Sequence, residues 1–134
     1  VWGKGDVCDC SVQGNCEWEG PEHCALVQAS VGPDACTCNA ETNQCQYRDN
    51  NACLRTQEIL GDFPGGLKDI ATTRQDVRDA LFEIFARWIE LTNVDGFRID
   101  TLKHVEESFW DDFCSRIRAF AKSKGKDNFF MFGL

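Results

Sequence analysis

A two-part chain is predicted: a cysteine-rich, loop-rich segment followed by an α/β segment. Three observations carry this reading. Eight of the nine cysteines lie within the first 53 of the 134 residues. Beyond about residue 66 the apolar spacing alternates between helix and strand periods, giving helix, strand, helix, strand. The two strands are separated by a helix, which implies parallel pairing in an α/β sheet or barrel.

Composition sets the outer limits. With 43% hydrophobic and 27% charged residues, the chain is globular rather than disordered. A formal net charge of -8 argues against a nucleic-acid surface, because phosphate would be repelled. No apolar run approaches the roughly 20 residues of a membrane-spanning helix. A neutral or cationic partner fits better, and the acidity would also suit a bound divalent cation. Val1-Trp2-Gly3-Lys4 contains no initiator Met, and Phe129 to Leu134 is an apolar run without a polar stop. Both ends read as cut from a longer protein.

In the first part, Cys8, Cys10, Cys16, Cys24, Cys36, Cys38, Cys45 and Cys53 sit among small and turn-forming residues, with few large aliphatics. Such a segment needs covalent or metal staples. Structural zinc favours paired Cys-x-x-Cys knuckles. The close pairs here, Cys8-Asp9-Cys10 and Cys36-Thr37-Cys38, have one-residue gaps. Four disulfides are therefore expected rather than zinc, with connectivity left open among about 105 pairings. Disulfides imply an oxidising compartment and hence an exported protein. Trp2, Trp18 and Tyr47 would serve either as sugar-stacking rings or, more commonly in such segments, as a small core.

In the second part, Thr73 and Asp76 make a helix start, with an acid in the first turn. Val77, Leu81, Ile84, Phe85 and Trp88 form one apolar face, and the helix should end near Leu91. Asn93-Val94-Asp95-Gly96 is a turn and Phe97-Arg98-Ile99-Asp100 a short strand. Phe109, Phe113, Ile117 and Phe120 mark a second helix that stops at Gly125, with Cys114 beside its apolar face as a buried free thiol. Phe129 to Phe132 is expected as a fully buried strand. Two strands cannot close a barrel, so this core needs further sequence to complete it.

Arg98 and Asp100 lie two apart on a strand and so share a face. Asp100 falls at the strand's C-terminal end, where parallel α/β folds carry their reactive groups. A guanidinium beside a carboxylate keeps it ionised and oriented, as a nucleophile at an anomeric carbon must be. From spacing alone, a structural ion pair near a strand end is the commoner reading. Lys103 and His104 follow within reach of the same edge, or are simply exposed loop residues. Asp69 taken alone is a turn residue.

Together, Gly96-Phe97-Arg98-Ile99-Asp100-Thr101-Leu102-Lys103-His104 resembles the fourth-strand motif of the α-amylase family of glycoside hydrolases. Phe132-Gly133 resembles the start of that family's fifth-strand motif. Gly61-Asp62-Phe63-Pro64-Gly65-Gly66-Leu67-Lys68-Asp69-Ile70 resembles the segment leaving its inserted second domain. The resemblance covers residues 61–134. It implies an incomplete (β/α)8 TIM barrel over 61–134, with residues 1–60 as a disulfide-stapled inserted domain. It also implies a retaining hydrolase of α-1,4-glucans, with Asp100 as nucleophile, Arg98 positioning it, and Lys103 and His104 lining the substrate cleft. By the same likeness, the Asp69 carboxylate and the His104 carbonyl would hold a structural calcium. The family places its acid/base Glu directly after Phe-Gly, where this chain has Leu134. Either a boundary has replaced that residue, or the parent is an inactive homologue that binds carbohydrate or another partner. Hydrolysis, transglycosylation and α-glucosidase chemistry are not separated by these residues.

Overall fold

The computed structural model describes residues 10, 16–61 and 69–134. Trp2, Cys8 and the middle of the 61–70 resemblance, residues 62–68, lie outside the described residues. The chain divides into two compact units, with the boundary between Asp69 and Ile70.

The first unit contains β1 (Glu17–Glu19), α1 (Pro21–Ser30), β2 (Cys36–Cys38), β3 (Gln44–Tyr47) and α2 (Asn50–Leu60). It holds more regular structure than its loop-like composition suggested. The strands form an antiparallel sheet in the order β1-β3-β2, with Trp18 opposite Cys45 and Cys38 opposite Cys45 on the other side. Local signals explain the boundaries. Pro21 opens α1, where a missing N–H costs nothing. The Asp49 side chain caps α2 by accepting from the Ala52 N–H at 2.8 Å. Asn39 Oδ1 accepts from the amides of Glu41 and Thr42, and Asn43 takes a left-handed φ of 57°, which together tighten the β2–β3 hairpin.

Cysteine supplies much of the first core. Disulfides join Cys10 to Cys53, Cys24 to Cys36 and Cys38 to Cys45, and Cys16 is disulfide-bonded as well. Val27, Ala35, Ala52 and Trp18 fill the space between them. The Trp18 ring lies 4.7 Å from Tyr47 and 5.1 Å from His23, so these aromatics build core rather than a sugar platform. Seven of the eight cysteines of this unit are described, and all seven are disulfide-bonded.

The second unit runs α3 (Gln75–Thr92), β4 (Gly96–Ile99), a 3-10 turn (Leu102–His104), α4 (Glu107–Ser123) and β5 (Phe130–Gly133). β4 and β5 pair in parallel, Gly96 with Phe130 through Ile99 with Gly133, as the intervening helix requires. Asn93, at φ 56° and ψ 30°, caps α3 in the left-handed conformation. Gly125, at φ +81°, ends the turn after α4. The start of α3 differs from expectation. The cap position is Arg74, whose side chain pairs with Asp76 at 2.7 Å, and not Thr73.

The core lies between the two helices and one face of the strand pair. Ile89, Phe109, Phe113, Ile117, Ala121 and Phe129 are its buried members. Ring contacts link it across elements: Phe97 to Phe129 at 5.0 Å, and Phe113 to Phe85 and Phe109 at 5.5 Å each. Burial of large aromatics beyond area alone adds about 0.5–1.5 kcal/mol per pair.

Two sequence expectations fail here. The apolar face assigned to α3 splits, for Val77, Ala86 and Ile89 are buried while Ile84 and Trp88 are exposed, Trp88 at 53%. The apolar arc is wider than one packing face, so one packed neighbour, α4, covers only part of it. The strand expected to be fully buried is covered on one side only, with Phe130 at 65% exposed and Phe132 at 45%. Alternation puts these two rings on the face away from the helices.

Candidate active site at the edge of the parallel strands

Asp100 is the first residue beyond β4. Gly96, Arg98 and Asp100 alternate onto the open face, while Phe97 packs into the core against the helices. Thr101 then takes a left-handed φ of 54° and turns the chain into the 3-10 turn that carries Lys103 and His104. The Asp100 carboxylate accepts from the Thr101 N–H at 3.0 Å and is exposed. Lys103 is exposed and His104 half-buried.

The edge of β5 completes the arrangement. The Leu134 N–H donates to the Ile99 carbonyl, and the Leu134 carbonyl accepts from the Leu102 N–H, both at 3.0 Å. One further step of the β4–β5 register therefore sets position 134 beside Asp100, on the same open face. Neighbouring strands are about 4.7–4.9 Å apart.

The expected Arg98–Asp100 ion pair does not form. Among the described residues Arg98 makes no salt bridge, and the Asp100 carboxylate turns to the Thr101 backbone instead. Both side chains are exposed. In water such a pair gains only about 0–1 kcal/mol, which a local backbone hydrogen bond can match.

Asp69 and His104, the pair expected at a calcium, belong to different units, Asp69 ending the first. Among the described residues no group of three or more His, Cys, Asp or Glu comes together as a metal site. Cys114 is a free, half-buried thiol, and burial pushes its pKa up.

A buried group that the sequence did not disclose lies at the far end of the same loop. Glu106 is 1% exposed. Its carboxylate accepts from the Thr72 hydroxyl at 2.7 Å and from Arg78 Nη2 at 3.1 Å. Arg78 also donates to the Thr72 carbonyl at 2.6 Å and to the Ser108 carbonyl and hydroxyl at 3.1 and 2.9 Å. Trp110 Nε1 donates to the Leu102 carbonyl at 3.0 Å. The available signal was weak, since an acid just before an apolar helical run reads as a first-turn residue.

The family model for the alpha amylase catalytic domain matches residues 44–131, from β3 into β5. This chain belongs to the alpha-amylase family. Among relatives of this family member, an alpha-amylase of Streptomyces lividans is 48% identical over 73 residues, which span 54% of this chain and 8% of the relative. A cyclomaltodextrin glucanotransferase of Klebsiella oxytoca is 37% identical over 67 residues, 50% of this chain and 10% of the relative. The alpha-amylase of Geobacillus thermoleovorans, solved with acarbose, superposes with a TM-score of 0.52 at 34% identity, covering 59% of this chain and 16% of that one. This alpha-amylase-family chain thus spans a small part of the length of each.

Proposed function

We propose that the chain is part of a secreted, retaining glycoside hydrolase acting on α-1,4-glucans, and that Asp100 is its nucleophile. The observation that carries this reading is the placing of Asp100 at the C-terminal edge of a parallel strand, directly beside position 134. A retaining glycosidase needs two carboxyl groups about 5–5.5 Å apart, close to the spacing of adjacent strands. In this reading the Asp100 carboxylate attacks the anomeric carbon, forming a glycosyl-enzyme while a general acid protonates the departing oxygen. Water then releases the sugar. Arg98 supplies positive charge on the same face and positions the nucleophile once sugar displaces solvent. Lys103 and His104 bind glucan hydroxyls beside it. The second unit is a segment of a (β/α)8 barrel and residues 1–60 an inserted domain. Family membership and the acarbose complex of the Geobacillus relative support the substrate class. The family likeness also implies a structural calcium, with the Asp69 carboxylate and the His104 carbonyl as its ligands. In the full-length protein, chelation should then lower the melting temperature, and Asp69→Ala should remove most of that sensitivity.

The test is covalent trapping in the full-length polypeptide. A mechanism-based fluorosugar should label Asp100, and Asp100→Asn should lower turnover by several powers of ten. The 134-residue chain itself should not hydrolyse starch. Label on another carboxylate, or near-normal turnover in Asp100→Asn, overturns the assignment. Leu134 supports a second reading, a homologue that binds α-glucan without cleaving it, because leucine beside Asp100 cannot donate a proton. Saturable glucan binding with no turnover and no label would favour that reading.

A further inference from the structure

We infer that Glu106 is a positioning residue, an internal anchor that fixes the loop carrying Lys103 and His104 against the start of α3. The loop from Asp100 to Val105 is tied at both ends. At its start, Leu102 is held by the Leu134 carbonyl through its N–H and by Trp110 through its carbonyl. At its end, the Glu106 carboxylate is bound by Thr72 and Arg78. A buried carboxylate held by a guanidinium and a hydroxyl is a stiff joint, because losing the Arg78 contact strands a charge away from water and losing the Thr72 contact removes a hydrogen bond. Glu106 immediately precedes α4 yet does not cap it with its side chain, so its carboxylate is committed to the anchor. Thr72, Arg78 and Glu106 all belong to the second unit, so the anchor lies wholly within it.

For its kinetic consequence the inference rests on the α-glucan hydrolase reading. Its structural consequence stands apart from that reading. In the full-length polypeptide, Glu106→Leu removes the carboxylate but leaves Arg78 its bonds to Thr72 and Ser108, so the fold is expected to survive. Three amides report the loop directly: those of Leu102, His104 and Val105, bonded to Leu134, Thr101 and Leu102 carbonyls. Their hydrogen exchange should quicken while amides in the middle of α4 keep their protection. KM for a soluble α-1,4-glucan should rise by about tenfold or more, with kcat changed far less, since misplacement of binding groups of this kind costs up to about a hundredfold. Glu106→Gln, which keeps an oxygen for Arg78, should restore most of both effects. Thr72→Val deletes one hydrogen bond without stranding a charge, and covers the case in which Glu106→Leu fails to fold. It should shift the same amides in the same direction by less. Unchanged exchange at the three amides in a folded Glu106→Leu or Thr72→Val, or equal loss of protection throughout α4, overturns the anchor. If the wild-type protein neither binds nor cleaves α-glucan, the functional reading fails, and the exchange measurement decides the anchor by itself.

Discussion

Gly96→Ala tests the close approach of β4 and β5 that sets the site. A Cβ at Gly96 would run into the Phe130 carbonyl oxygen, with the Phe130 carbonyl carbon at 3.1 Å and Cβ at 3.3 Å. The obstacle is mainly backbone, so no rotamer change relieves it. Phe130 is itself held by its N–H bond to the Asp95 carbonyl at 3.0 Å, and the far end of the pair by Leu134 to Ile99. The strands must therefore part by several tenths of an ångström or more. Overpacking of this kind costs about 1–3 kcal/mol. In a unit of some 60–100 residues each kcal/mol moves Tm by about 4–8 °C, so Tm should fall by roughly 4–24 °C. Gly125 is the control, because its φ is +81° and nothing lies within 4 Å of a Cβ there. Its cost is conformational rather than spatial, so Gly125→Asn, which tolerates the left-handed region, should lose less than about 1 kcal/mol. Gly96→Asn should be at least as damaging as Gly96→Ala. Calorimetric or circular-dichroism melts of the three variants separate the two mechanisms. Gly96→Ala within about 0.5 kcal/mol of wild type would refute the argument from space, because surface-like tolerance is then what the site shows.

Ile117→Ala empties a fully buried position among Phe109, Phe113 and Ile89, and should cost about 2–5 kcal/mol in denaturant unfolding of the second unit. Alkylation without reductant should label one thiol in the chain, Cys114, and slowly, because burial raises its pKa and restricts access; stoichiometric zinc with eight free thiols would end the disulfide assignment. Asp76, Asp79 and Glu90 have lowered pKa values, held down chiefly by Arg74, by Gln75 with Arg116, and by Lys124 respectively. Their folded values lie below the unfolded ones, so their contribution is present above about pH 4 and is lost as pH falls through the lowered values. Urea midpoints measured downward from pH 5 should show this loss, and added salt should shrink it because all three groups are exposed.

The sequence made the second unit legible because its helices are long and strongly periodic. Phe109, Phe113 and Ile117 repeat at helical spacing and are all buried, and Gly125 stops the helix by its backbone freedom. The parallel pairing followed from topology without any contact being known. What periodicity does not report is how much of an apolar arc finds a partner. Trp88 and Phe130 read as core by type, but both are exposed, at 53% and 65%. The first unit was opaque for another reason. Its helices are short, its strands are three or four residues long, and disulfides replace the aliphatic patterning on which such readings depend. At the site, the spacing of Arg98 and Asp100 correctly gave a common face but not a contact, since a solvated ion pair is too weak to be dictated by spacing. Glu106 escaped because its partners Thr72 and Arg78 are 34 and 28 residues away in sequence, a separation that no local pattern encodes.

The described disulfides have a consequence for how the polypeptide is made. Each closes between cysteines no later than Cys53, with separations of 43, 12 and 7 residues, so none waits for the parallel strands to be synthesised. At elongation rates of about 5–20 residues per second, residues 54–134 take on the order of 4–16 s to follow. Bridging of the described cysteines therefore needs no residue of the second unit, and the two units close by different chemistry: sulfur oxidation in one, burial of phenylalanine in the other.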